Sequence, residues 1–192
     1  MKEPVLSLLL ALPLLLGSNA LSQKQTFSVD PKASDVAFSL SGSDHSLHGT
    51  FQVQNGSIDF DRGATKISGT VVVAAGSGKS GNDSRDHKMS TDVLDAPHFA
   101  EVSFVPQNYQ GTIASSGDST IQVSGIFTLH GAPHELTVPM QIHIDGTTCT
   151  ARTHFTVPYV KWGLKDPSVF VLRVAKEVEI NLTLVGSLST SH

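Results

Sequence analysis

The chain has 192 residues, of which 39% are hydrophobic and 16% are charged, and its formal net charge at pH 7 is −4. A chain of this length can bury one sizeable core, so we expect a single domain. The chain is mildly acidic and its sequence shows no basic stripe of the kind that a nucleic-acid groove requires, so nucleic acid is not an expected partner. Cys149 is the single cysteine. It therefore has no disulfide partner within the chain, and we predict a small, buried strand residue rather than a reactive thiol.

The N-terminus, residues 1–20, predicts a secretory signal peptide. Lys2 precedes an apolar stretch over residues 5–16, and small residues follow up to Ala20. About a dozen apolar residues are too few to span a bilayer as a helix, which needs about twenty. An uncleaved anchor is the alternative. We expect cleavage, a periplasmic location and a mature domain over residues 25–187.

Apolar and polar residues alternate over most of the remaining chain, most clearly in residues 136–144 and 178–184. Successive side chains of a β-strand point to opposite faces, so each alternating segment buries one face and exposes the other. Weaker segments of the same kind bring the total to about eight strands, separated by turns rich in Gly, Asp and Asn. Residues 188–192, which follow the last strand, are expected to fray.

Long strands with one apolar face predict an all-β fold, an eight-stranded antiparallel barrel without exposed edges. Such a barrel has an interior just wide enough for one slender ligand. A two-sheet sandwich is the alternative. The alternation is interrupted at residues 83–95, where capping residues at Asp83, Ser84 and Ser90 predict a short helical insertion that ends before Pro97. This insertion is expected to cover one mouth of the barrel.

The inward-facing apolar side chains of the predicted barrel are the candidate contacts for a long apolar ligand. They are Phe38, Leu40, Phe51, Val53, Phe104, Phe127, Met140, Ile142, Phe155, Ile180 and Leu182. Each buried methylene group of such a ligand would contribute about 0.8 kcal/mol. Plain core packing is the alternative for each of these residues.

Two basic residues of the helical insertion, Arg85 and Lys88, are candidate contacts for an anionic head group such as a phosphate. The alternative is a solvated helix face on which Asp83 and Asp86 pair with them.

The sequence shows little that indicates catalysis. The segment GSGKS at residues 76–80 imitates the end of a phosphate-binding loop, but Val73 stands where that loop needs a glycine. The Gly-x-Ser-x-Gly motif of a hydrolase is absent, so we expect no enzymatic activity and no cofactor. A ligand-free envelope domain that binds another protein through a patch around Tyr159, Trp162 and residues 169–172 is an alternative.

Nine histidines raise the question of a metal site. The close pairs, His45 with His48 and His130 with His134, lack the even spacing that places two ligands on one face of a strand. We therefore expect no metal, and a histidine-dependent metal-binding protein is the less favoured alternative.

Three stretches have the order and spacing of one known family: FSVDP at residues 27–31, GNDSRD at residues 81–86 and GIFTLHG at residues 125–131. Together they resemble the YceI-like family of exported lipid- and polyisoprenoid-binding proteins. The family often carries Arg-Asp-x-His-Leu where this chain has RDHKM at residues 85–89, so no role of that histidine is carried over.

The resemblance implies a lipocalin-like, eight-stranded barrel with an elongated apolar pocket. It implies a long-chain isoprenoid or acyl lipid as the partner, bound in the periplasm. We also expect peripheral contact with the membrane, through which the ligand would exchange, and a homodimer.

Overall fold

A computed structural model describes residues 24–43, 46–62, 66–168 and 173–190. It contains ten strand segments among these residues, all paired antiparallel. They are β1 (Lys24–Val29), β2 (Asp35–Ser41), β3 (Ser46–Phe51), β4 (Val53–Asp61), β5 (Ile67–Ala74), β6 (Glu101–Gln110), β7 (Gly117–Leu129), β8 (Ala132–Asp145), β9 (Thr148–Val157) and β10 (Val178–Thr190).

The strands close into an eight-stranded barrel, as the sequence predicts. The ring runs β1-β4-β5-β6-β7-β8-β9-β10 and closes through the pairing of β10 with β1. β2 continues the line of β1 along β10, because Val36 pairs with Leu182 while Phe27 pairs with Leu188. β3 continues the line of β4 in the same way, so the ten segments occupy eight positions.

β7 and β8 form the longest hairpin, and their connection has the geometry that a tight turn needs. His130 and Gly131 stand alone between the paired Leu129 and Ala132, with φ of 52° and 71°. Two central residues with positive φ match the right-handed twist of the flanking strands. This turn belongs to the GIFTLHG stretch that helped to indicate the family.

The predicted helical insertion is present between β5 and β6. It consists of a 3₁₀ turn (Ala75–Ser77), the helix α1 (Asp83–Lys88) and a π-helical turn (Met89–Val93). The residue that caps α1 is Asn82, whose side chain accepts a hydrogen bond from the Arg85 backbone N–H at 3.0 Å. The expected caps Asp83 and Ser84 lie inside the helix, one and two positions later. No helix within the described ranges is long and apolar enough to cross a membrane.

The C-terminal residues differ from the expectation that residues 188–192 fray. β10 continues to Thr190, and Leu188 is partly buried against the core opposite Phe27 of β1. A short apolar-polar run at a chain end is too small to indicate a partner by itself, and the partner here lies at the other end of the domain. Residues 191–192 and the predicted signal peptide lie outside the described residues.

The two ends of the barrel differ. We use the name mouth for the end formed by residues 75–100, 158–168 and 173–177, which follow β5 and β9. The opposite end is packed as a floor, where Tyr109 and Ile144 are almost completely buried. The hydroxyl of Tyr109 donates a hydrogen bond to the carbonyl of Asp61 at 2.6 Å and ties β6 to the end of β4.

Candidate functional site

The barrel encloses an apolar cavity of about 700 Å³. Every strand segment and α1 contribute to its wall. Ser84 and Lys88 line the cavity and are exposed, so the cavity reaches solvent at the mouth. Its volume falls in the range of about 300–1,000 Å³ that is typical of ligand pockets.

The structure brings all but one of the predicted apolar contacts together on the cavity wall. Those on the wall are Phe38, Leu40, Phe51, Phe104, Phe127, Met140, Ile142, Phe155, Ile180 and Leu182. Phe127 packs against Phe155 with ring centroids 6.1 Å apart, and Phe38 packs against Phe51 at 5.3 Å. These contacts place aromatic faces along the wall, while the binding role of each residue stays a prediction.

Val53 is the exception. It is 5% exposed and belongs to the packed core, but it does not reach the cavity. Gln52 interrupts the strand between β3 and β4, and the β4–β5 register shifts between Val53 and Asn55. Alternation counted from Phe51 therefore assigns Val53 to the wrong environment.

Several wall residues were outside the predicted set although they lie on alternating segments. They include Val123, Leu136, Val138, Cys149, Ala151, Thr153 and Leu184. Their parity along the strand was the available signal, since inward positions recur at every second residue. The sequence does not show how deep in the barrel an inward residue lies. Leu136 and Ile144 both face inward from β8, yet Leu136 lines the cavity and Ile144 packs the floor.

Thr153 is a polar exception on this wall. It is 8% exposed, and its hydroxyl has no hydrogen-bond partner among the described residues. Its partner across the sheet is the apolar Leu182 of β10. A buried hydroxyl without a partner costs about 1–3 kcal/mol, so this position is destabilising unless a ligand or water occupies it.

Cys149 is buried, as predicted, and lines the lower part of the cavity. Burial raises the pKa of its thiol to about 11. The thiol is therefore neutral near neutral pH and serves as a small apolar wall group.

Arg85 is held at the mouth by Ser80. Its Nε donates to the Ser80 hydroxyl at 2.8 Å and its Nη2 donates to the Ser80 carbonyl at 2.8 Å. The Ser80 backbone N–H and hydroxyl donate in turn to Asp86 at 2.8 and 2.5 Å. These hydrogen bonds, together with the nearby charges of Lys79 and Arg85, outweigh burial and hold the pKa of Asp86 below its usual value. The expected direct pairing of Arg85 with an aspartate is thus replaced by a bridge through Ser80.

Both predicted head-group contacts, Arg85 and Lys88, lie on the cavity wall. Arg173 joins them there from the segment before β10. It had no sequence signal, since it stands in an irregular stretch far from the insertion. Ser43 fixes its backbone by donating a hydrogen bond from its N–H to the Arg173 carbonyl at 2.9 Å.

The aromatic patch expected for protein binding is mostly internal. Tyr159 is 5% exposed and its hydroxyl donates to the Ala175 carbonyl at 2.8 Å. Trp162 stacks on His134, with ring centroids 4.0 Å apart, and packs against Phe127. The chain turns directly after β9, where the Tyr159 N–H donates to the Val157 carbonyl at 2.9 Å, and both rings lie at the mouth. Residues 169–172 lie outside the described residues.

Several histidines contact a carboxylate or another polar side chain, while His134 stacks on Trp162 and its buried Nε2 has no hydrogen-bond partner among the described residues. His143 contacts Asp118 at 2.7 Å and His154 contacts Glu179 at 2.9 Å, both on the outer surface. Across the described ranges, no group of three or more His, Cys, Asp or Glu side chains is arranged to hold a metal ion.

A closed antiparallel barrel with a hollow apolar interior defines a class of β-barrel that includes the lipocalins. The chain belongs to the YceI-like domain family, whose model matches residues 27–186.

Curated relatives support this assignment. A UPF0312 protein of Pseudomonas savastanoi pv. phaseolicola is 28% identical over 151 residues, which cover 76% of each chain. A UPF0312 protein of Pseudomonas fluorescens is 27% identical over 168 residues, which cover 82% of this chain and 79% of the relative.

Solved structures share the fold. BcnA of Burkholderia cenocepacia superposes with a TM-score of 0.67 at 23% identity, covering 82% of this chain and 99% of BcnA. A polyisoprenoid binding domain from Saccharophagus degradans, described as implicated in plant cell wall breakdown, gives a TM-score of 0.69 at 16% identity and covers 85% of this chain and 98% of that domain.

Proposed function

We propose that this protein binds a long apolar chain, of the isoprenoid or fatty-acyl type, inside its barrel and carries or sequesters it in the periplasm. The observation that carries the proposal is the apolar cavity of about 700 Å³, which runs from the packed floor to a solvent-exposed mouth. A hollow of this shape exposes apolar wall to water when empty, and an alkyl or prenyl chain removes that wall from water.

Two further observations support the proposal. The Saccharophagus degradans neighbour is named as a polyisoprenoid binding domain and has the same fold. Residues 1–20 have the sequence of a signal peptide, which would deliver the barrel to the compartment where such lipids need a carrier. Most wall residues are apolar, and the charged ones, Arg85, Lys88 and Arg173, lie toward the mouth, which is the arrangement that an apolar ligand with one polar end requires.

The first experiment identifies the cargo. The full chain is expressed with its own first 20 residues, purified from the periplasm without detergent and extracted with organic solvent. Mass spectrometry of the extract should find a prenyl or long acyl compound near one equivalent per chain. Recovery of the protein only from the cytoplasm would contradict the proposed location.

A pair of substitutions tests whether the cavity holds that cargo. Ala151→Phe adds a ring to the buried cavity wall, whereas Val105→Phe adds the same ring to an outer position that is 41% exposed. We expect the Ala151 variant to lose at least about tenfold in affinity for a fluorescent polyene lipid, because the ring occupies the space of several methylene groups at about 0.8 kcal/mol each. The Val105 variant should bind as the unmodified protein does. Equal binding by both variants would place the lipid outside the barrel.

A further inference from the structure

The charged side chains that line the cavity are all cations. Among the described residues on the wall, Arg85, Lys88 and Arg173 carry charge, and Asp and Glu are absent. The whole chain has 17 Asp and Glu against 13 Lys and Arg, so its composition does not account for an all-cationic lining.

The helix α1 accounts for part of the all-cationic lining, because its basic and acidic residues lie on different sides of the helix. Ser84, Arg85 and Lys88 face the cavity, as residues three and four positions apart share one side of a helix. Asp83 and Asp86 line a separate, shallow hollow on the outer side of the insertion together with Lys79. The negative charge of Asp86 is opposed there by the ammonium group of Lys79 at 3.9 Å.

The carboxylate of Asp166, near the same end of the barrel, is also turned to other partners. Hydrogen bonds from the Ser168 side chain and from the Ser168 backbone N–H, the latter at 2.9 Å, lower the pKa of this carboxyl against the effect of burial, and the charge of Lys176 adds to the lowering. Neither Asp86 nor Asp166 lines the cavity, so neither carboxylate neutralises the wall cations within it.

Arg85 is positioned rather than neutralised. Ser80 receives two of the N–H donors of its guanidinium group, which carries five in all. The remaining donors have no partner among the described residues, and the two bonds to Ser80 remove most of the rotational freedom of the side chain. A fixed guanidinium group that shares the mouth with two further wall cations is suited to a terminal phosphate or carboxylate, with which it forms charge-assisted hydrogen bonds.

We infer that the mouth is a binding site for an anionic head group, so the ligand is a long-chain amphiphile that ends in a phosphate or a carboxylate. This inference rests on the proposed function, because the apolar chain of the same molecule would occupy the cavity. Burial of the ligand's apolar chain in the cavity contributes to affinity. The three cations distinguish ligands of equal chain length by the charge of their terminal group.

The test compares ligands that share a chain and differ in the terminal group. One pair is geranylgeranyl phosphate and geranylgeraniol, and the other is hexadecanoate and hexadecanol. We expect the unmodified protein to bind the charged member of at least one pair about tenfold more tightly, since one charge-assisted hydrogen bond contributes about 1.4 kcal/mol or more. The two charged-to-neutral affinity ratios are then compared. A larger ratio for the geranylgeranyl pair indicates a phosphate-ended isoprenoid as the preferred ligand, and a larger ratio for the hexadecyl pair indicates a fatty acid.

The double variant Lys88→Gln/Arg173→Gln removes two wall cations and leaves the Arg85–Ser80 contacts in place. It should reduce the charged-to-neutral ratio to about threefold or less. The matched control Lys161→Gln/Lys165→Gln removes two exposed charges at the same end that do not line the cavity, and it should keep the ratio.

The possible results are distinct. A ratio near one in the unmodified protein, with the neutral members still binding, would overturn the anionic site and leave the proposed chain-binding function intact. A ratio that the wall variant and the control reduce equally would also overturn it, because general surface charge would then explain the preference. Failure of all four compounds to bind would overturn both proposals.

Discussion

At the scale of single residues, the hydroxyl of Thr153 is at odds with its surroundings. It is 8% exposed on an apolar wall and lacks a partner, whereas Thr156, three residues along β9, donates its hydroxyl to Glu179 at 2.9 Å on the outer face. The two threonines thus provide a matched comparison within one strand. A strand selects threonine for its β-branched shape, so the same residue type serves both faces.

We predict that Thr153→Val raises the free energy of unfolding of lipid-free protein by about 1 kcal/mol, because it removes a buried hydroxyl that has no partner. Thr156→Val should lower it by a similar amount, because it removes a satisfied hydrogen bond. Urea denaturation of both variants measures the two values. A destabilised Thr153 variant would mean that the hydroxyl is satisfied, for example by ordered water in the cavity.

At the scale of elements, the helical insertion depends on a small polar network. Asp86 accepts two hydrogen bonds from Ser80, and the Ser80 hydroxyl accepts one from Arg85. One serine therefore links α1 to the segment between the 3₁₀ turn and α1. Few other contacts anchor α1, since Asp86 is the only one of its residues that is buried. The position of the cationic edge at the mouth therefore depends on this carboxylate.

Asp86→Asn should loosen the insertion with little effect on the barrel. The folded-state pKa of Asp86 is lowered, so its ionised form stabilises the insertion above the ordinary value of 3.8. That contribution is lost as the pH falls through the lowered pKa. Hydrogen–deuterium exchange at pH 7 should show weaker protection of residues 83–94 in the variant than in the unmodified protein, and the difference should shrink toward pH 3.

Asp83→Asn is the control, since Asp83 is an exposed residue of the same helix. Equal loss of protection in both variants would indicate that helix charge in general, rather than the link to Ser80, holds α1.

At the scale of the whole molecule, the barrel depends on one closing seam. β10 is shared between β1 and β2 on one side and pairs with β9 on the other. The part that closes against β1 is the C-terminal end of the chain, where Leu188 pairs with Phe27. Closure therefore joins the two ends of the described domain and leaves the main ring without an exposed edge.

We predict that Leu188→Ala lowers the free energy of unfolding by about 1–2 kcal/mol, at the lower end for a leucine because the side chain is only partly buried. Ser189→Ala, at the next and exposed position, should change it by less than about 0.5 kcal/mol. Urea unfolding followed by tryptophan fluorescence measures both. Similar values for the two variants would show that the end of β10 contributes no packing in solution, which is the behaviour of a frayed tail.

Local alternation was enough to predict the all-β barrel, the inward face of most strands and the interruption at the helical insertion. These properties follow from the period of two, which each segment carries independently of its neighbours. The residues Phe127 and Met140 could be placed on the cavity wall for this reason. Val53 could not, because a strand break and a shifted register separate it from the segment that set the phase.

Which faces of the strands are apolar follows from the residue order alone, because side-chain alternation is a local property. That the space between those faces is open at the mouth and packed at the floor follows from the fold, since depth depends on which strands meet and in what register. The fold alone also placed Arg173 on the same cavity wall as Arg85 and Lys88, which are far from it in the chain. A cavity and its charge are sums over all strands and loops, and no single segment carries that information.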